Sequence, residues 1–479
     1  MAFPVILVNS ATGSDTAASG AGPGTALSGA ATASTDATGL IVTVAATTDL
    51  TNVAVDGSHV IYLADATAGK RNFGKITAKA GSGGATPNVT VADAFGINQI
   101  TKDWAIGGVR AKMSSTASYK LFDNNATAGD AMPGWAIEMQ SGHVETIVGD
   151  GTNRVVIRRS GDTTSGRIIL RGTLAAATMP VLTFPTNGAA FLGATTSDLL
   201  TFRDFEVKNS NATKTASVAF DPGASGVSAW QLINIRVRDA ANKFWRAVNI
   251  QGPMTIRDCE IANCANVGII FAGGTGATIR NNWIHACTSH GISAPTVDDT
   301  GTLIYGNLIT GNSGDGMNLN CSATTNARRS LIVQNTIDNN TGSGIDIGNA
   351  NRSLDALAVL NNILSNNGTY GLKFSNASAT QAFLDATGIF VSNNGTFNNT
   401  TSAYLPTGYG ASDPALNPTF TNTGGNDYSV GTNLKAKGYP IGGALTVGTT
   451  SSTNSYVDIG AAQRQEPVGG GAVARIIGG

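Results

Sequence analysis

Four copies of one phrase decide the fold: IRNNWIHACTSHG at Ile279–Gly291, IYGNLITGNSGDG at Ile304–Gly316, IVQNTIDNNTGSG at Ile332–Gly344 and VLNNILSNNGTYG at Val359–Gly371. Each opens on an apolar residue, with Asn three residues on, an apolar residue five on, Asn or Cys eight on and Gly twelve on. An earlier copy, Ile256–Cys259–Ile261–Cys264–Gly268, carries Cys at both Asn positions, and Leu384–Thr387–Ile389–Ser392 reads as a decayed sixth. Upstream, Leu232–Ile235–Val237 and Phe202–Phe205–Val207 keep the apolar spacing without the Asn. The period of 23 to 28 residues marks a repeat array.

Each unit offers two or three short alternating strands, too short to bury a core alone. Stacked at about 4.8 Å, the strands of successive units pair, and equivalent apolar residues form columns. Asn282, Asn307, Asn335 and Asn362 fall in one column, and Asn312, Asn340 and Asn367 in another. An Asn at a turn tolerates left-handed backbone geometry, and its amide can bond the same residue one coil away. The Gly that ends each unit is expected to supply a positive-φ bend.

The pattern resembles the parallel β-helix repeat of the right-handed, pectate-lyase-like superfamily, clearly over residues 254–392 and more faintly from about 140. The resemblance implies an all-β chain: a right-handed parallel β-helix of about ten coils. Around it we expect an N-terminal arm and β-rich mounting domain over 1–110, and a short capping helix and entry segment over 111–140. The β-helix itself is placed at 141–400, with an irregular C-terminal cap and Gly-rich tail over 401–479.

Composition narrows the function. Of 479 residues only 13% are charged, 30 basic against 31 acidic, with 60 glycines. No basic field favours nucleic acid or an anionic membrane, and no apolar run is long enough to span one. There is no CxxC pair or Cys/His cluster at zinc spacing, so neither a metal nor a cofactor is expected. Cys264 and Cys287 share a column, open either to an inter-coil disulfide or to service as small apolar fillers; the latter is preferred, and Cys321 is expected to be free. No secretory signal is read at the N-terminus.

Acid/base chemistry on the outer face needs two carboxyl groups roughly 5–9.5 Å apart. His290 over Asp315 is the best such candidate, with Asp298 and Asp299 nearby in sequence. The alternative is that His290–Asp315 and Asp346–Lys373 are charge pairs between coils. That reading is preferred, because no column stacks two carboxylates and no acid cluster accompanies Arg257 and Arg280 beside Asp258. Trp283, Tyr305 and Trp245 are candidates for carbohydrate contact. His59 and His143 stand isolated and read as structural.

The opening VNSATGSDTAASGAG and the segment NVAVDGSHVIYL…WAIGGVRA, ahead of the repeat, resemble β-helix structural proteins of tailed bacteriophages. That resemblance implies a virion component, a tail spike or fibre or a capsid decoration, made in the host cytoplasm. It further implies a homotrimer mounted on other virion proteins through its N-terminal part. Cell-surface polysaccharide is a possible ligand. A polysaccharide depolymerase and a bacterial surface adhesin or filament subunit are the alternatives.

Overall fold

The computed structural model describes residues 5–8, 27–51, 53–55, 59–63, 73–92, 102–107, 109–110, 136–147, 155–157, 167–173, 178–193, 199–212, 216–223, 229–239, 241, 243–273, 276–294, 301–319, 330–348, 357–375, 389–405, 413–421, 423 and 428. The chain divides into two compact units, Met1–Thr213 and Lys214–Gly479. Every regular element among the described residues is a strand. Most of the segment expected to form a capping helix, 111–135, lies outside them, and its end, Ala136–Met139, is a strand.

In the first unit, strands Leu27–Thr35, Ile41–Thr43, Asn88–Val91, Phe73–Ala80, Val60–Leu63 and Lys102–Gly107 pair antiparallel in that order and close into a barrel. Alternation in short strands aims Val42, Ile61, Leu63, Ile76, Val89, Trp104 and Ile106 into one core. The Trp104 indole donates to the Thr32 hydroxyl at 2.9 Å, so the buried ring leaves no polar atom unpaired. The barrel is inserted between two segments of a parallel sheet: Val5–Val8 pairs with both Val109–Arg110 and Ala136–Met139. Parallel strands continue through Ile168–Gly172 to Leu200–Asn209, and Val155–Ile157 pairs with Ala189–Gly193. Phe184, Phe191, Phe202 and Phe205 fill the interior of this part.

The second unit is the repeat made solid. Each full coil has three short strands, as in Thr278–Arg280, Trp283–His285 and Ile292–Ser293, and each pairs parallel with its equivalent one coil on. One sheet of this unit runs through Val218–Asp221, Arg246–Ile250, Val267–Phe271, Ile292–Ser293, Met317–Leu319, Ile345–Ile347, Tyr370–Phe374 and Ser402–Leu405. Ile256, Ile279, Ile304, Ile332 and Val359 form one buried column, and Ile261, Ile284, Ile309, Ile337 and Leu364 another.

Between the apolar columns run two amide ladders, buried except at the last rung of the second, Asn399. Asn282 donates through Nδ2 to Asn307 Oδ1 at 2.9 Å, and Asn307 to Asn335, Asn335 to Asn362 and Asn362 to Asn394 do the same. The second ladder runs Asn312, Asn340, Asn367, Asn399 at 2.9–3.1 Å. Each rung's own backbone N–H donates to the same oxygen, and its second amide hydrogen reaches a carbonyl of the coil behind. An interior Asn is therefore satisfied only when every coil holds the same register.

Three expectations change here. The left-handed residue is not the ladder Asn but the residue before it: Asn281, Gly306, Gln334, Asn361 and Asn393 precede the first ladder, and Ala286, Gly311, Asn339, Asn366 and Asn398 the second. The corner turns at that residue, which leaves the next side chain pointing inward. The repeat glycines are not positive-φ bends either; they are steric gaps. A Cβ on Gly316 would lie 2.7 Å from the Gly344 carbonyl oxygen and 3.1 Å from the Asn340 amide nitrogen, and Gly291 and Gly344 are equally closed in. Finally, the sixth copy is Val391–Asn394–Thr396–Asn399, with intact Asn rungs 32 residues beyond the fifth copy's.

Asn335→Ala removes the acceptor of two Asn307 donors and one of the two donors to Asn362 Oδ1, the backbone N–H of residue 335 remaining. It should lower the unfolding free energy by about 2–5 kcal/mol, read from urea denaturation of the full chain.

Candidate functional site

The outward strip of the sheet that contains Ile292–Ser293 and Tyr370–Phe374 concentrates the titratable groups. Ser293, Asn318, Asp346 and Lys373 are in register along it. His290, Asp315, Ser343 and Tyr370 form the column beside them, held by backbone bonds such as Gly291 N–H to the Asp315 carbonyl. These side chains lie along the stack and cap the coil ahead. His290 Nδ1 accepts the Asp315 backbone N–H at 3.0 Å, and Asp315 Oδ1 accepts the Ser343 N–H at 2.7 Å.

A backbone N–H can only donate, so His290 Nδ1 carries no proton and the ring's hydrogen is on Nε2. Asp315 Oδ2, 3.3 Å from that nitrogen, takes its bond from the Asn318 amide at 2.7 Å. Asp346 is likewise engaged: Oδ1 accepts from Ser375 at 2.5 Å and Oδ2 from the Lys373 ammonium at 3.0 Å. Gly314 and Gly342 make room for the arrangement. A Cβ on Gly314 would lie 2.8 Å from His290 Nδ1, and one on Gly342 would collide with Asp315 Oδ1.

The two carboxyls are driven apart. Burial works against charge on Asp315, but the hydrogen bonds from the Asn318 amide and the Ser343 N–H outweigh it and hold the group below its ordinary value. Burial pushes Asp346 above its ordinary value despite Ser375 and Lys373, and the negative charge of Asp315 adds to the rise. An ionised and a more readily protonated carboxyl therefore share one face. The sequence hid this, because the two stand in neighbouring columns and no single column shows both. Asp298 and Asp299 lie outside the described residues.

The three aromatic candidates occupy different surroundings. Trp283 stacks on His285 with ring centroids 3.8 Å apart and donates its indole N–H to Thr310. Tyr305 is 8% exposed and packs in an apolar cluster with Val333 and Leu360, its hydroxyl accepting from Arg280 at 3.0 Å. Trp245 precedes the strand Arg246–Ile250, in the sheet of Ile292–Ser293 and not in that of Trp283 and Tyr305. They do not line one shelf. Nearby, Glu260 bridges Arg238 at 3.2 Å and lies 3.6 Å from His285. Arg257 and Arg280 are in register, with Asp258 bonded to Arg257 at 2.6 Å.

Cys259, Cys264 and Cys287 are buried free thiols, and Cys321 lies outside the described residues. Burial pushes the Cys259 thiol up to about 12, while its hydrogen bond to Cys287 and then burial raise Cys264 well above the ordinary range. Cys259 and Cys264 are inert protonated fillers of ladder positions, and Cys287 fills another, its N–H donating to Asn312 Oδ1 at 3.0 Å. Cys259 Sγ even copies a rung, accepting the Ile235 N–H at 3.5 Å and reaching the Leu232 carbonyl at 3.7 Å. In the first unit His143 pairs with Glu145 at 3.2 Å, both buried, and His59 accepts the Ala54 N–H. Among the described residues no three His, Cys, Asp or Glu side chains gather as metal ligands would.

A family profile described as a right-handed β-helix region matches residues 223–404, within the second unit, and the fold is a right-handed parallel β-helix. No curated protein matches the chain. Among solved structures, the A-module of Azotobacter vinelandii mannuronan C-5 epimerase AlgE4 is similar at 15% identity and TM-score 0.39, over 56% of this chain and 79% of that one. Pectate lyase Pel9A is similar at 13% identity and TM-score 0.46, over 73% and 94%. The Dettilon tailspike protein gp208 is similar at 12% identity and TM-score 0.38, over 57% of each chain. Values this low carry no argument about activity.

The carboxyl environments give opposite pH signatures. Asp315, lowered on folding, contributes stability above its ordinary value of 3.8 that disappears as pH falls through its folded value. Asp346, raised on folding, contributes fully below 3.8 and loses that contribution as pH rises through its folded value. Thermal unfolding between about pH 5 and pH 3 should show the gap between wild type and Asp315→Asn narrowing on acidification, and that for Asp346→Asn moving the other way.

Proposed function

We propose that the chain is a structural component of a bacteriophage particle, a tail spike or fibre or a capsid decoration. Its solenoid serves as a stiff surface element, and its first unit as the mount on other virion proteins. In this reading it assembles as a homotrimer, is synthesised in the host cytoplasm and turns over no substrate. The observation that carries it is the closure of the His290–Asp346 strip. Both oxygens of Asp315 and both of Asp346 accept bonds from the protein itself, and His290 Nδ1 is spent on a backbone N–H. Glycoside hydrolysis needs carboxyl oxygens free to reach a glycosidic oxygen and a water. Two amide ladders that lock successive coils from Asn282 to Asn399 suit a mechanical role, as does a closed barrel without edge strands in the first unit.

A second reading, a depolymerase of cell-surface polysaccharide, draws on one specific observation. Asp315 and Asp346 lie on one face in environments that separate their proton affinities, as a base and an acid require. Two measurements decide. Labelling native virions with an antibody fragment against the barrel should mark the particle, whereas label confined to cell envelopes would overturn the structural reading in favour of an adhesin. Incubation with host capsule or lipopolysaccharide should release no reducing ends; release abolished by Asp315→Asn or Asp346→Asn would establish the depolymerase.

A further inference from the structure

The first amide ladder has a direction. Each rung donates its backbone N–H and its Nδ2 to the oxygen one coil on, so the donors of the last rung, Asn394, face the end of the stack. Asn394 is built into the ladder like its predecessors. Its Oδ1 accepts the Asn362 N–H at 3.0 Å and Nδ2 at 2.9 Å, and its own Nδ2 donates back to the Val359 carbonyl at 3.0 Å. What lies ahead of it is not an asparagine. Asn394 Nδ2 donates to Asp413 Oδ2 at 3.3 Å, and the Asn393 and Asn394 backbone N–H groups point at the same carboxylate. The Tyr404 hydroxyl, buried in the last coil, donates to that oxygen as well. Next door, the Pro414 carbonyl accepts the Thr396 N–H at 3.1 Å.

We propose that Asp413 is the final rung of the ladder, a carboxylate standing in for the next asparagine oxygen, and that it latches residues 413–421 across the last coil. The chemistry favours an acid there. Aligned amides add head to tail, as peptide dipoles do in a helix, and leave their positive N–H end at Asn394, where an anion is stabilised. Among the described residues no basic side chain neutralises Asp413, and its Oδ1 is buried without a hydrogen-bond partner. Burial pushes its carboxyl up, and the groups that oppose the rise are Tyr404 and the donors of Asn394 and Asn393. The second ladder supplies a contrast: Asn399 accepts from Asn367 at 3.0 Å, and no acceptor follows it among the described residues. Opening the latch would free the Asn394 and Thr396 N–H groups, leaving an edge of the kind other chains pair with.

The test is backbone hydrogen exchange on the full chain, read at Asn394 and Thr396 against Asn335 and Asn362 inside the stack. Asp413→Ala should raise exchange at the two end amides about tenfold or more and leave the inner rungs unchanged, the loss of one buried acceptor. Asp413→Asn, which restores a rung oxygen, should stay within about threefold of wild type, and Tyr404→Phe should fall between them. Wild-type exchange at Asn394 and Thr396 in Asp413→Ala would overturn the proposal. So would Asp413→Asn as exposed as Asp413→Ala. If Asp413→Ala unfolds throughout, shown by exchange at Asn335, the Tyr404→Phe and Asp413→Asn arms decide alone.

Discussion

Everything in the second unit answers to one constraint: a polar amide buried in an apolar stack must find every partner inside the protein. An Asn side chain in the interior of a coil brings two donors and an oxygen, and water cannot reach them. The structure meets the demand by repetition, since the coil ahead offers an oxygen and the coil behind a carbonyl. Once that is fixed, other features follow. The residue before each rung must turn a corner in the left-handed region, so Asn or Gly is favoured there. The wall opposite must approach closely, so Gly291, Gly316 and Gly344 have no space for a Cβ. Register cannot slip, because a one-coil error would orphan several donors at once.

The same economy governs the outer face. Side chains such as His290 and Asp315 lie along the stack and take up backbone N–H groups of the next coil, so polar contacts replace free surface charge. This accounts for a protein in which only 13% of residues are charged. In the pair read from two aligned letters, His290 Nδ1 and Asp315 Oδ1 each accept a backbone N–H of the next coil.

Much of this was legible in the sequence, and the remainder was hidden for identifiable reasons. The apolar and Asn columns follow from spacing alone, because stacking carries equal positions onto one another. The role of the repeat Gly was not legible: a glycine that bends and one that merely lacks a side chain are the same letter, and only the neighbouring carbonyl tells them apart. The left-handed position was displaced by one residue, since adjacent Asn pairs such as Asn281–Asn282 and Asn361–Asn362 give two candidates for one corner. The sixth copy was masked by its longer separation, 32 residues from the fifth, although Val391, Asn394, Thr396 and Asn399 keep the internal spacing. Asp346 escaped pairing with Asp315 because the two occupy neighbouring columns, and Asp413 because no repeat rule reaches beyond the last coil.

The central claim is that adjacent rungs stabilise one another, and are not merely tolerated polar fillers. A double-mutant cycle on Asn307→Ala and Asn335→Ala, followed by equilibrium unfolding, measures this directly. The account predicts strong coupling, about 2 kcal/mol or more, because the first substitution already strands the partner's groups and the second then costs much less. Additive losses, with coupling near zero, would contradict it.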